Sequence, residues 1–233
     1  MELEDAKQII IEAKNIYLIA SQEPEAIAST LALFYTLKEQ GKNVNALIDE
    51  LPESLKFLSP SLDFISYPKN FVVSVPKNVA DISQIYYEKN DEGLKIHLTI
   101  DSGVIKKDNI AFYFSETKPD LIITIGIKDF SAELPTKLDS FGFLMESPII
   151  NIDSSPGNKK FGKINLVQER PTAETISELL QISNSESALC LLTSLVIATE
   201  NFKNNPTAQT FQLASELMKK DVDLKQITNN LKI

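Results

Sequence analysis

The run NIYLIA at residues 15–20, with PEAIASTLALFYTLKEQG at 24–41 and NVNALID at 43–49, decides the fold. NIYLIA is apolar at almost every position, the pattern of a parallel strand buried on both faces. Pro24 stands where a first helical residue tolerates proline, and Gly41 stands where a helix stops. Between them Ala26, Ile27, Leu31, Phe34 and Leu37 recur at helical spacing and give the helix a broad apolar side for a sheet. NVNALID then reads as a second strand. A strand, a crossover helix and a strand make the basic unit of an α/β fold.

The same texture returns further along the chain. DLIITIG (120–126) and PIINID (148–153) are short buried runs of the same kind. Residues 3–14 form an expected helix with Leu3, Ala6, Ile10 and Ala13 on one side. FVVSVPK, DISQIYYEKN, LKIHLTID and NIAFYFSE alternate more openly and are joined by turn-forming residues. Residues from roughly 68 to 116 are therefore expected to form an antiparallel meander or hairpin inserted between strands of a mainly parallel sheet. From roughly 171 to 233 the chain reads as helices: TAETISELLQI, SESALCLLTSLVIATENF, TAQTFQLASELMKK and DLKQITNNLKI. The expectation is one domain over 1–233, a mainly parallel sheet flanked by helices.

Charge and rare residues narrow the chemistry. Lys plus Arg is 23 and Asp plus Glu is 32, a formal net charge of −9. With Arg170 its only arginine, the chain is poorly equipped for tight contact with phosphate backbones, so nucleic-acid binding is expected to be weak at most. Cys190 is the only cysteine and His97 the only histidine, which excludes a disulfide framework and a zinc finger. Cys190 lies in CLLTSLVI and reads as a small core residue. His97 is out of phase with Leu94, Ile96, Leu98 and Ile100, so it is expected to face solvent. The sequence has neither a basic-then-apolar leader nor an apolar run of about 18 residues. Neither a signal peptide nor a membrane contact is expected, and the location expected is cytoplasmic.

Four segments, in order, resemble the DHH (or DDH) phosphoesterase superfamily of RecJ-like nucleases and nanoRNase/pAp-phosphatase enzymes. In the first, Ala26, Ile27 and Ser29 match the start of the family's opening helix, and Leu37, Lys38, Gly41 and Lys42 match its end. The second, PDLIITIGIKD, is similar to the strand that delivers a ligand aspartate. In the third, Asn151, Ile152, Asp153, Asn158, Phe161, Gly162 and Asn165 match the segment built around the Asp-His-His motif. The fourth, SLVIATENFKNNPTAQTFQLASELMKKDVDLKQI, resembles the family's helical close. The resemblance covers residues 14 to 230 or so. Two-domain members continue into a Gly-rich substrate-binding domain at about the point where this sequence ends.

The resemblance implies a DHH-like fold and, in active members, two Mn²⁺ or Mg²⁺ ions held by His and Asp. This sequence departs from that ligand set. Gln22, Glu23 and Glu25 stand in a shortened first loop, Gly126 takes the place of an aspartate, and Ser154 and Ser155 follow the retained Asp153. Ala198 precedes Thr199 where an Asp-Thr pair is expected. The reading is a catalytically degenerate, phosphoesterase-like binding or scaffold protein without cofactor. Glu23, Glu25, Gly126, Asp153, Ser154 and Ser155 would then be remnants of the catalytic positions. Two other readings stay open. One is a phosphoesterase acting on short oligonucleotides or nucleotide phosphates, with metals on Glu23, Glu25, Asp101, Asp129 and Asp153. The other is a nucleotide or phosphate sensor binding through Asp153, Ser154, Ser155 and Asn158. Glu23 and Glu25 also sit where carboxylates cap a helix, and Asp101 and Asp129 follow predicted strands, where aspartates form turns. The aromatic residues of the insertion, Phe71, Tyr86, Tyr87, Phe112, Tyr113 and Phe114, mark it as the expected contact for a protein partner or for self-association.

Overall fold

The structure is a computed structural model describing residues 2–59, 61–65, 70–91, 93–115, 118–133 and 147–232. In chain order the elements begin α1 (Glu2–Glu12), β1 (Asn15–Ala20), α2 (Pro24–Glu39) and β2 (Asn43–Leu47). A 3-10 segment (Glu53–Leu58) and a single turn, α3 (Leu62–Ile65), follow. Next come β3 (Asn70–Ser74), β4 (Ala80–Asn90), β5 (Gly93–Gly103) and β6 (Ala111–Ser115). Then come β7 (Leu121–Ile125), the single turn α4 (Phe130–Glu133), β8 (Ile149–Asp153) and β9 (Ile164–Val167). The chain closes with α5 (Thr172–Leu179), α6 (Ser185–Ala198), α7 (Ala208–Met218) and α8 (Leu224–Leu231).

The chain divides into two compact units, one formed by Met1–Tyr67 with Lys118–Ile233 and one by Pro68–Thr117. The larger unit is built on a sheet of order β2-β1-β7-β8-β9, and every neighbouring pair in it is parallel. Strands buried on both faces have no polar side to show, which is why NIYLIA and LIITI are apolar at all but Asn15 and Thr124. Ile16, Leu18, Leu121 and Ile123 face one way, into a large core with Leu31 and Phe34 of α2, Ile176 of α5 and Leu191 of α6. Tyr17, Ile19 and Ile122 face the other way and pack with Ile127 and Phe130. At the N-terminal edge of the sheet, Asp120 accepts from the backbone N–H of Lys14 and Asn15, both at 2.9 Å. Lys42 Nζ donates to the carbonyls of Ile11 (3.0 Å) and Ala13 (2.7 Å), closing the end of α1. These bonds fix the register of the strands and hence the opposite, C-terminal edge.

The smaller unit holds two separate two-stranded antiparallel sheets, β3 with β6 and β4 with β5. The expected insertion is therefore a hairpin nested between two outer strands, not one continuous meander. Its expected limits at 68 and 116 lie outside the described residues. INLV at 164–167 forms β9, a parallel strand that the motif match had not identified as a strand. Cys190 is buried in α6, with its sulfur 3.9 Å from the carbonyl of Leu58, and burial pushes its thiol above the ordinary range. A disulfide reagent is expected to leave the native thiol unmodified and to label it fully in denaturant. Labelling that keeps pace with a free thiol under native conditions would contradict this packing.

Candidate functional site

Open parallel sheets place their sites where strand order reverses, outside the carboxyl ends of the strands. Here the chain leaves β1 for β2 on one side and later adds β7 on the other, so the reversal falls between β1 and β7. The backbone closes over this point: Ser21 N–H donates to Ile125 O and Gly126 N–H donates to Ile152 O, both at 2.9 Å. Gly126 has φ +69°, and a Cβ there would lie 2.8 Å from Ser21 Oγ and 2.9 Å from Ala26 Cβ. A side chain at this position would need both a strained backbone and a displacement of α2.

One strand further along, four side chains form a buried polar chain. Thr124 Oγ1 donates to Asn151 Oδ1 (3.0 Å), and Asn151 Nδ2 donates to Asn158 Oδ1 (2.8 Å). Asn158 Nδ2 donates to Asp153 Oδ2 (2.8 Å) and to Ile127 O (2.9 Å), and Asn158 Oδ1 also accepts from Lys160 N–H (2.7 Å). The Asn158 amide thus makes the four bonds open to it. Asp153 is buried, and its other oxygen accepts from Ser154 N–H at 2.8 Å. The loop after it closes on itself: Gly157 N–H reaches Ser155 Oγ (3.3 Å) and Asn158 N–H reaches Ser155 O (3.2 Å). Gly162 and Asn165 exchange two more bonds at 3.0 and 2.8 Å.

Glu25, at the start of α2, does not cap its own helix. Its Oε1 accepts from Thr172 N–H (2.9 Å) and Thr172 Oγ1 (2.8 Å) at the start of α5. Thr172 Oγ1 also lies 2.8 Å from Ser29 Oγ, which lies 2.7 Å from Ser194 Oγ, so a file of hydroxyls runs from Glu25 into α6. Burial raises the Glu25 carboxyl above the ordinary range, opposed by the Thr172 bonds and assisted by the charges of Glu23 and Asp153. Glu25, Ser154, Arg170, Pro171, Ala198 and Thr199 line a cleft of about 210 Å³. Arg170 is held by both oxygens of Glu178, at 2.7 and 2.5 Å.

Glu25, Ser154 and Ala198 thus line one cleft, and Asp153 lies near enough for its charge to act on Glu25. The other candidates are placed differently. Glu23 is exposed, makes no side-chain cap, and lies 3.4 Å from Lys128 Nζ, so the capping expected of both glutamates is absent. Asp129 accepts from Ser131 and Ala132 N–H and pairs with Lys159, which lowers its pKa; it caps the turn of α4. Asp101 lies within β5, which runs on to Gly103, and is exposed in the smaller unit. His97 is half-buried: its ring stacks on Tyr86 with centroids 4.5 Å apart, because Tyr86 is its cross-strand partner. Thr124, Thr172 and Ser194 were not singled out in the sequence. For Thr124 and Ser194 a hydroxyl inside an apolar run was the available signal; nothing around Thr172 in RPTAET marks it.

No family model and no curated protein matches the chain. Among solved structures, an exopolyphosphatase-related protein from Bacteroides fragilis superposes with a TM-score of 0.68 at 17% identity, over 98% of this chain and 59% of that one. The exonuclease RecJ bound to manganese aligns with a TM-score of 0.45 at 14% identity, over 94% of this chain and 48% of that one. The chain thus spans about three fifths of the length of the first and about half of the length of the second. The first likeness establishes the fold, and the DHH-like α/β architecture expected from the motifs is the one observed.

Two substitutions test this geometry. A raised pKa means the native state holds the Glu25 proton more tightly than the unfolded chain does. Its stabilising contribution is therefore greatest in acid and is lost as pH rises through the native value. Glu25→Gln keeps an oxygen for Thr172 without the charge, so it is expected to raise the melting temperature at about pH 8 and to make no difference at about pH 4. Gly126→Asp is expected to lower stability by about 2 kcal/mol or more, measured by denaturant unfolding, since it combines backbone strain with overpacking.

Proposed function

We propose, from the fold shared with the exopolyphosphatase-related protein, that this chain is a degenerate DHH-type phosphoesterase that works by binding instead of by hydrolysis. One observation carries the reading: the carboxylates gathered at the strand ends are already held by protein donors. A pair of divalent cations needs several oxygen or nitrogen ligands converging on common points. Here Asp153 is engaged by Asn158 and Ser154 N–H, Glu25 by Thr172, and Glu23 pairs with Lys128. Among the described residues, no three His, Cys, Asp or Glu side chains cluster in a way that could hold a metal. The donor set does not fit the two-metal centre implied by the motifs.

The matched motif residues support the same reading. Ser29, Lys42, Asn151, Asp153, Asn158, Gly162 and Asn165 each make an internal bond that joins elements of the fold or closes a loop. The departures fall where active members place ligands: Gln22, Gly126, Ser154, Ser155 and Ala198. Selection for the architecture without selection for the metals would leave this pattern. The sensor alternative needs free backbone N–H groups to cradle an anion. Those of Ser154, Gly157 and Asn158 are taken up within the loop. Binding to a macromolecular partner is the role we propose in its place. No helix among the described residues is long and apolar enough to cross a membrane.

Metal at 100 times its dissociation constant for a native-state site would add about 2.7 kcal/mol of stability. We expect about 1 mM Mn²⁺ or Mg²⁺ to leave the melting temperature unchanged, and phosphodiester and pAp hydrolysis to stay at the level of a chelator control. A metal-dependent rise that disappears in Asp153→Ala would reverse the proposal.

A further inference from the structure

The smaller unit carries an edge strand that fits a second copy of itself, and we propose that the protein forms a two-fold dimer through antiparallel pairing of β5 with β5 of the second copy. The inference holds whether or not the strand-end site turns over a substrate. Within the described residues β4 and β5 form a sheet of two strands, so the outer side of β5 has no neighbour in that sheet. A lone two-stranded hairpin is marginal in water, and a long alternating edge is a template for another strand. Leu94, Ile96, Leu98 and Ile100 lie on one face of β5, and Lys95, His97, Thr99 and Asp101 alternate with them. Leu94 is 62% exposed and Ile96 is 54% exposed. No proline interrupts this edge.

The pattern is self-complementary about Leu98. An axis through Leu98 sets it against Leu98 of the second copy, and Ile96 against Ile100 of the second copy. On the opposite face the same axis sets Lys95 against Asp101 of the second copy, twice by symmetry. Shifting the axis to Ile96, His97, Thr99 or Ile100 loses both charge pairs. Cross-strand apolar pairs and opposite charges are the units that stabilise sheets, and an isologous contact of this kind closes at two chains. The β4–β5 register slips at Ile82 and Ile100 and resumes with the same alignment, Asp81 opposite Ser102 on one side and Gln84 opposite Thr99 on the other, so the alternation of β5 is kept across it.

The charge pairs give the test. Sedimentation equilibrium of the full chain at about 100 µM is expected to show a dimer, since even a Kd of about 10 µM leaves most chains paired at that concentration. Asp101→Lys sets Lys95 against lysine, and Lys95→Asp sets Asp101 against aspartate. Each variant alone is expected to dimerise about tenfold more weakly or worse. Mixed together they are expected to pair with each other, because both contacts again join opposite charges. Circular dichroism confirms that each variant folds, which matters for Lys95→Asp because Lys95 faces Glu88 within its own hairpin. A monomeric native chain would overturn the proposal. So would variants that dimerise as the native chain does, or folded variants that fail to pair when mixed.

Discussion

The Asn158 amide is the constraint on which the C-terminal edge of the sheet depends. A parallel sheet ends in backbone and side-chain polar groups that its flanking layers shield from water, and each such group needs a partner. Asn158 supplies partners to three of them at once: Asn151 on β8, Asp153 at its end, and the carbonyl of Ile127 beyond β7. Thr124 extends the chain into β7 itself. In a low-dielectric interior such a network is strong when complete and costly when one member is lost. It also folds the loop from Ser154 to Lys160 back onto the sheet, where the loop's own bonds tie it down.

That constraint separates two kinds of motif residue that look alike in a sequence. Asp153 and Asn158 belong to the segment that resembles the Asp-His-His motif, and both complete the network. Glu25 lies in the first of the matched segments, and it reaches across to Thr172 and joins α2 to α5. Gly126 is the sharpest case. It lies at the reversal of strand order, where a ligand has most room in folds of this kind, and the space its side chain would fill holds Ser21 and Ala26.

Much of the fold is legible in the sequence because a parallel strand buried on both faces is apolar at most of its positions. NIYLIA, LIITI and IINID carry that requirement openly, and the proline and glycine at the ends of α2 mark its limits. The helical C-terminal part follows from spacing in the same way. INLV is harder to read, being only four residues long and sitting inside a motif that draws attention to other positions. The division of the insertion into two small sheets depends on which strands pair, which alternation does not specify. The site is less legible still. The bonds of Asn158 run to residues up to 31 positions away, and the bond from Glu25 to Thr172 spans 147. Local composition at Ser154–Asn158 indicates a turn, which is correct, but the carboxylate it shelters is tied down by partners that only the tertiary fold brings near.

The central claim is that the strand-end carboxylate is structural. A double-mutant cycle on Asp153→Ala and Asn158→Ala, read by denaturant unfolding in the presence of a chelator, tests it most directly. The account predicts that each substitution destabilises the protein and that the two couple by of order 1–3 kcal/mol, with the same coupling when Mn²⁺ replaces the chelator. Additive effects would contradict it. So would an Asp153→Ala variant that gains stability without metal, the behaviour of a ligand carboxylate relieved of repulsion from its neighbours.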